Sequence, residues 1–299
     1  MNNFDDLFAA KPAENNSNKD FTSFDKEEWA ARKQQERADA YALIDETAEQ
    51  MSGNGELFQA YLDVQSRFDR YSVGNALLIT AQMPEATRLA DFKTWKDNDL
   101  YIKKGESGIT ILEPGDEYTR EDGSVGVSYN AKKVFDSTQT NSRQRATPAV
   151  SHDERLLIKA LINNAPCKIS ISTDVPDNVG AVYKSEEKVI LVRQGMGAAD
   201  IFRSLSQELA HAHMDNGAYN RADCAFPAYC VSYMLCKRNG VAVDNFRFDR
   251  LPESFGSMDA QELRGKLSEI RDVVNDISAD MARVLELQRS NKSRDDGAR

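Results

Sequence analysis

The sequence predicts an α+β protein in two parts. N-terminal helices pack on a small antiparallel sheet, and a second α+β domain ends in a long helix. Three observations carry this. The chain has 299 residues, enough for two domains at roughly 150 residues each. Apolar residues recur at helical spacing in several segments, and short strand-like runs bounded by Gly, Asp and Asn lie between them. Composition is ordinary, at 40% hydrophobic and 29% charged, which excludes a wholly disordered or fibrous chain.

Residues 1–25 are rich in Asn, Asp, Lys and Ser and read as a disordered acidic tail. Lys26 to Gln50 reads as a long helix with Trp29, Tyr41, Leu43 and Ile44 as apolar positions, ended by Ser52-Gly53-Asn54-Gly55. Helices follow over Glu56–Arg70 and Tyr71–Ala81, the latter stopped by Pro84. Asp91–Asp97 reads as a helical turn. Leu100–Ile102 and Ile109–Leu112 read as strands around the turn Lys103–Gly108. Glu113–Ser124 reads as an acidic loop, and Val125–Phe135 as a third strand. A linker is expected over 142–151, between a first domain at 26–141 and a second at 152–288.

The second half predicts a helix over Asp153–Asn163, strands over Cys167–Ser172, Gly180–Tyr183 and Lys188–Val192, and helices over Asp200–Met214 and Ala222–Asn239. Gly240 is placed to end the last of these as a C-cap. A long amphipathic helix is expected from Asp259 to Leu287, then a disordered tail over 289–299. Cys167, Cys224, Cys230 and Cys236 match no zinc or redox spacing and read as small buried hydrophobes in a reducing compartment. No apolar run approaches the ~18 residues of a membrane span, and the polar, acidic start is no signal peptide. A cytoplasmic protein with no membrane partner is expected.

The net charge of −10 argues against a general nucleic-acid binder. The charge is uneven, however. Residues 1–50 hold 12 acids and 6 bases, a net of −6, whereas residues 61–112 hold 7 of each. In that neutral stretch Arg67, Arg70, Arg88, Lys93, Lys96, Lys103 and Lys104 interleave with Tyr71, Phe92, Trp95 and Tyr101. Cations for phosphates and flat rings for unstacked bases are what a single-strand binder uses. Asn75 and Gln82 lie seven apart, on one helix face. Together with Gln139, their amides suit base edges or internal hydrogen bonds.

This segment resembles the N-terminal domain of ArdC-type antirestriction proteins, a single-stranded-DNA-binding domain of plasmids and integrative elements. The matching residues are Tyr71-Ser72, Asn75, Leu78-Ile79, Gln82-Met83-Pro84, Trp95 and Lys103-Lys104-Gly105-Glu106, with Val134-Phe135-Asp136 and Gln139-Thr140 downstream. The resemblance spans about residues 35–141. Ser107 stands where the family usually has Lys, which removes a cation from the turn. The resemblance implies a nucleic-acid contact set of Arg70, Tyr71, Asn75, Gln82, Trp95, Lys103, Lys104 and Gln139.

A second motif, Gln207-Glu208-Leu209-Ala210-His211, departs from the H-E-x-x-H zinc signature at its first position. A neutral amide is a poor zinc ligand beside imidazole. The second half resembles the metallopeptidase-like, zincin-type domain found with ArdC-type domains, where a Glu on the next helix is the third ligand. Tyr229 takes that position here, so two of three ligands are missing. Glu208 is read as a vestigial base, and Gln207, His211 and Tyr229 as vestigial metal positions. No metal or other cofactor is expected, with zinc retained only if an altered set such as Glu208, His211 and Asp215 works.

The function expected is a single-stranded-DNA-binding accessory protein of a mobile element, in antirestriction or conjugative transfer. A restriction or conjugation protein is a possible partner, and the second domain is inactive. The alternatives are an active zinc metallopeptidase with an altered ligand set, or a protein-interaction module mimicking DNA.

Overall fold

The computed structural model describes residues 26–120, 122–142 and 153–297. The tail expected over 1–25 and nearly all of the expected linker lie outside them.

The chain opens with helix α1 (Lys26–Ser52), α2 (Gly55–Arg67) and α3 (Val73–Gln82). Strand β1 (Leu89–Ala90), helix α4 (Phe92–Asp97), and strands β2 (Ile109–Thr119) and β3 (Val125–Asp136) follow. The second half holds α5 (Glu154–Ile162), β4 (Lys168–Ser172), β5 (Ala181–Lys184), β6 (Val189–Arg193), α6 (Ala198–Met214), α7 (Arg221–Asn239), α8 (Glu253–Gly256) and α9 (Ala260–Gly297). The mixed α+β class is as expected, including the small antiparallel first sheet and the long C-terminal helix.

Helix starts follow local chemistry. The side chains of Asn54, Ser72, Asp91, Asp153 and Asn220 each accept a backbone N–H of the first turn that follows, which satisfies donors a helix N-terminus otherwise leaves open. Gly240 closes α7 in the left-handed conformation at φ 69°. On α1 the buried positions are Ala40, Ile44, Thr47, Ala48 and Met51, at helical spacing. Trp29 and Tyr41, expected among its apolar positions, are largely exposed.

The first sheet is antiparallel throughout, in the order β1-β3-β2. Two sequence expectations fail here. The strand expected at Leu100–Ile102 is a single bridge, Ile102 to Thr140. The acidic loop expected at Glu113–Ser124 is mostly strand, pairing as far as Thr119 with Val125 across a bulge between Pro114 and Glu117. Glu113, Asp116, Glu117, Val125, Val127 and Tyr129 are all exposed on this arm. A ribbon solvated on both faces has no apolar alternation to betray it. The second sheet has β6 at its centre, parallel to β4 and antiparallel to β5.

One apolar cluster joins both halves. It runs from Ile44 and Met51 of α1 through Phe58 and Leu62 of α2 and Leu77 of α3 to Met234 of α7 and Leu267, Ile270 and Val274 of α9. Polar contacts reinforce the junction. The Tyr233 hydroxyl donates to Asp63 Oδ1 at 2.7 Å, and Arg238 Nε donates to the Ser66 carbonyl at 3.2 Å. All four cysteines are free thiols. Cys230 and Cys236 are buried as expected, whereas Cys167 and Cys224 are only half-buried. No described helix is long and apolar enough to cross a membrane.

Candidate functional site

A groove of about 560 Å³ lies on the first sheet, with Ile111, Lys132 and Val134 among its lining residues. Arg70, Tyr71 and Asn75 line it from the α3 side, and Leu89, Ala90, Asp91 and Thr94 contribute from the α4 side. Three of the residues expected to contact nucleic acid are thus gathered in one concavity. Arg70 is exposed, and Tyr71 is half-buried with its ring edge-on to Phe68 at 5.7 Å. Burial raises the Tyr71 pKa above its ordinary value, so the phenol stays neutral. Two groove residues escaped the sequence reading, Tyr129 and Lys132. Lys132 pairs with Glu113 at 2.6 Å and Asp91 at 3.0 Å, and these bonds, Glu113 first, hold its pKa above the usual lysine value. Its place opposite Ile111 on the paired strand, rather than any motif, brings it there.

Four of the expected contact residues are scaffold instead. Trp95 is 1% exposed, with its indole N–H bonded to the Phe135 carbonyl at 2.9 Å and Arg88 over its ring at 5.2 Å. It offers no face to a base. Asn75 exchanges two hydrogen bonds with the backbone of Leu112, at 2.8 and 2.7 Å. Gln82 does the same with Thr110, at 2.9 and 2.8 Å. Gln139 accepts from the Asp136 N–H at 2.9 Å and donates to the Ser107 carbonyl at 2.8 Å. An amide whose donor and acceptor are both committed to backbone cannot read a base edge without breaking its own fold.

Gln139 also positions the lysine turn, because its side-chain amide holds Ser107 and Glu106 and its backbone carbonyl accepts from Lys103 N–H at 2.9 Å. Gly105 sits at φ 92°, a left-handed turn conformation that favours glycine. Lys103 donates to the Thr138 carbonyl at 2.7 Å, and Lys104 is exposed. Among the described residues of this half, the rings most open to solvent are Phe92, Tyr101 and Tyr118, at 57%, 55% and 51%.

The second half carries a buried polar cluster under β5. Glu208 on α6 is 4% exposed and is held from two sides. Arg221, the first residue of α7, grips both its oxygens at 2.6 and 2.9 Å, and the Tyr183 N–H donates to Oε2 at 2.6 Å. His211 is 1% exposed, with Nδ1 at 2.9 Å from the Tyr219 hydroxyl. Burial, with Arg221 adding to it against the opposing pull of Glu208, lowers the His211 pKa to about 4. Asp215 belongs to another network, bonded to Tyr183, Ser185 and Lys188. Tyr229 packs among Phe226, Phe246 and Phe248, and its hydroxyl accepts from the Arg247 N–H at 2.6 Å.

These residues do not fit a metal. Both Glu208 oxygens accept from Arg221, His211 Nδ1 is held by the Tyr219 hydroxyl, Gln207 is a neutral amide, and Tyr229 is committed to an aromatic cluster. Among the described residues no group of three His, Cys, Asp or Glu side chains is arranged to hold a cation. The Glu208, His211 and Asp215 set considered from spacing is split between two networks. Sequence spacing carried no sign of Arg221, whose partner lies 13 residues back across a loop.

The fold is thus α+β, with a sheet groove in the first half and a buried polar cluster in the second. Residues 34–152, less than half of the chain, match the family model described as the N-terminal domain of anti-restriction factor ArdC. Two solved structures are similar to the chain: the antirestriction ArdC protein of plasmid R388, metal-free and Mn(II)-bound. Each has a TM-score of 0.48 and 16% identity over 71% of this chain, covering 86% and 85% of theirs. An uncharacterized Bacillus anthracis protein is 39% identical over 49 residues, which is 16% of this chain and 8% of that relative's length.

Proposed function

We propose that the chain binds single-stranded DNA through the groove beside α3 and the lysine turn at 103–105. It would serve in the cytoplasm as an accessory protein of a mobile element, in antirestriction or conjugative transfer, with a restriction or conjugation protein as partner. The observation that carries this reading is the adjacency of Arg70 and Tyr71 on one groove with Lys132 and Tyr129, within a segment that matches an anti-restriction family. Arginine supplies phosphate contact and ring stacking, and each stacked base contributes about 1–3 kcal/mol. Asp91 and Glu113 balance the groove cations, so affinity is modest. The second half does no peptide hydrolysis in this reading, because the one carboxylate placed to activate water is bound to Arg221.

Fluorescence anisotropy with a labelled single-stranded oligonucleotide across a salt series tests the proposal. Affinity falls as salt rises, and Lys103→Ala with Lys104→Ala makes the log–log slope shallower by about 1 for each phosphate no longer neutralised. Absence of binding at low salt overturns it.

A further inference from the structure

We infer that the Arg221 guanidinium is a built-in cation of the buried α6 polar cluster, occupying Glu208 in the manner of a bound metal ion and excluding one. A buried carboxylate needs a counter-charge. His211, the nearest other titratable group on α6, lies in a site that favours its neutral form. Arg221 is the partner instead, through a fork-to-fork contact with both oxygens at 2.6 and 2.9 Å. That geometry is the strongest pairing a carboxylate makes with a side chain. The Tyr183 N–H takes a further lone pair of Oε2, so Oε2 is saturated and Oε1 keeps a single lone pair beside the guanidinium, where an incoming cation would meet a like charge.

The same carboxylate ties three elements together. Glu208 belongs to α6, Arg221 opens α7, and Tyr183 lies on β5, whose ladder partner is β6 alone. A metal would serve the same joining role, but only by displacing a tethered guanidinium and with only His211 Nε2 as a second donor. Arg221 is therefore a positioning residue that makes the cluster stable without metal. Its role is independent of whether the first half binds DNA.

Zinc titration of the full chain tests it, read by calorimetry and by thermal unfolding. The proteins compared are the wild type, Gln207→His, and Gln207→His with Arg221→Ala. Gln207→His restores the two histidines that bind zinc in H-E-x-x-H, but it leaves the Arg221 positive charge close enough to act on His211, so repulsion of the cation leaves no gain in melting temperature with zinc. The double variant binds zinc about tenfold more tightly or better and melts at higher temperature with zinc than without. If removing Arg221 prevents folding, Glu208→Gln with Arg221→Met supplies the second measurement. That pair removes both charges and recovers most of the stability that Arg221→Met alone loses. The inference is overturned if Gln207→His alone binds zinc as tightly as the double variant, if the wild type holds stoichiometric zinc that His211→Ala abolishes, or if the charge-free pair is no more stable than Arg221→Met.

Discussion

Asn75 and Gln82, two turns apart on α3, grip alternate residues of β2 with two hydrogen bonds each. Asn75 takes Leu112 and Gln82 takes Thr110. Only every second residue of a strand turns its N–H and C=O to a given edge, and β2 is the outer strand of its sheet. The two amides therefore act as a replacement strand along that edge. The seven-residue spacing on a helix matches the two-residue spacing on the strand closely enough for both contacts to form at once.

Removing the Asn75 amide leaves a buried N–H and C=O of Leu112 without partners. Asn75→Ala is expected to cost about 2–3 kcal/mol and Gln82→Ala, which is more exposed, about 1 kcal/mol. Urea unfolding measures both. Equal and negligible losses would show that water replaces the clamp at no cost.

Trp95 and Arg70 separate stability from binding. Trp95→Phe keeps most of the buried ring but loses the bond to the Phe135 carbonyl, and is expected to lower stability by about 1 kcal/mol while leaving oligonucleotide affinity unchanged. Arg70→Ala should do the opposite, weakening binding with an unchanged melting temperature. A loss of affinity in Trp95→Phe equal to that in Arg70→Ala would place the indole in contact with DNA.

Acid sensitivity should trace to His211. Its folded pKa is about 4, below the ordinary value near 6.5 for an unfolded chain. As pH falls, the unfolded chain gains a proton first, so stability declines from about pH 6.5 down to about pH 4 and then levels for this group. His213, also lowered by burial, adds in the same direction. His211→Gln should flatten the stability–pH slope in that window without abolishing it, as denaturant melts at several pH values would record.

Gly55 is fixed by its surroundings. A Cβ there would lie 1.6 Å from the Phe248 carbonyl oxygen, so α2 could not approach the 246–249 segment. Gly55→Ala is expected to cost on the order of 2–4 kcal/mol. Gly53, whose Cβ meets nothing within 4 Å, is the control, and its alanine variant should melt within a degree or two of the parent.

Much of the fold is legible in the sequence because its causes are local. The Asn54, Ser72, Asp91, Asp153 and Asn220 caps, the break before Gly55 and the Gly240 stop each act within a few residues. Helical periodicity locates most of the helices, though on α1 it misplaces Trp29 and Tyr41, which are exposed, beside Ile44, which is buried. α9 runs past the expected end at Leu287 into the segment expected as a disordered tail over 289–299, reaching Gly297 with no Gly or Pro between Leu287 and that residue to stop it. The motif residues that mark the family also stand out without any structure.

What those residues do was decided by tertiary contacts. Asn75, Gln82, Trp95 and Gln139 look like ligand contacts in one dimension. Apart from one local side-chain bond each of Gln82, to Leu78, and Gln139, to Asp136, their side chains bond to residues 28 to 40 positions away. No local pattern encodes such a pairing. The same holds for Arg221, which became the counter-ion of Glu208 only because α6 and α7 fold back against each other beside β5. The sequence alone carried the resemblance of residues 34–152 to an anti-restriction domain and the departure of Gln207 from the H-E-x-x-H pattern. Only the packed structure decided that the motif amides are joints of the scaffold and that a guanidinium holds the place beside Glu208. The physical reason is one of reach: propensity and capping act over a few residues, whereas the partner of a buried polar group is chosen by the whole fold.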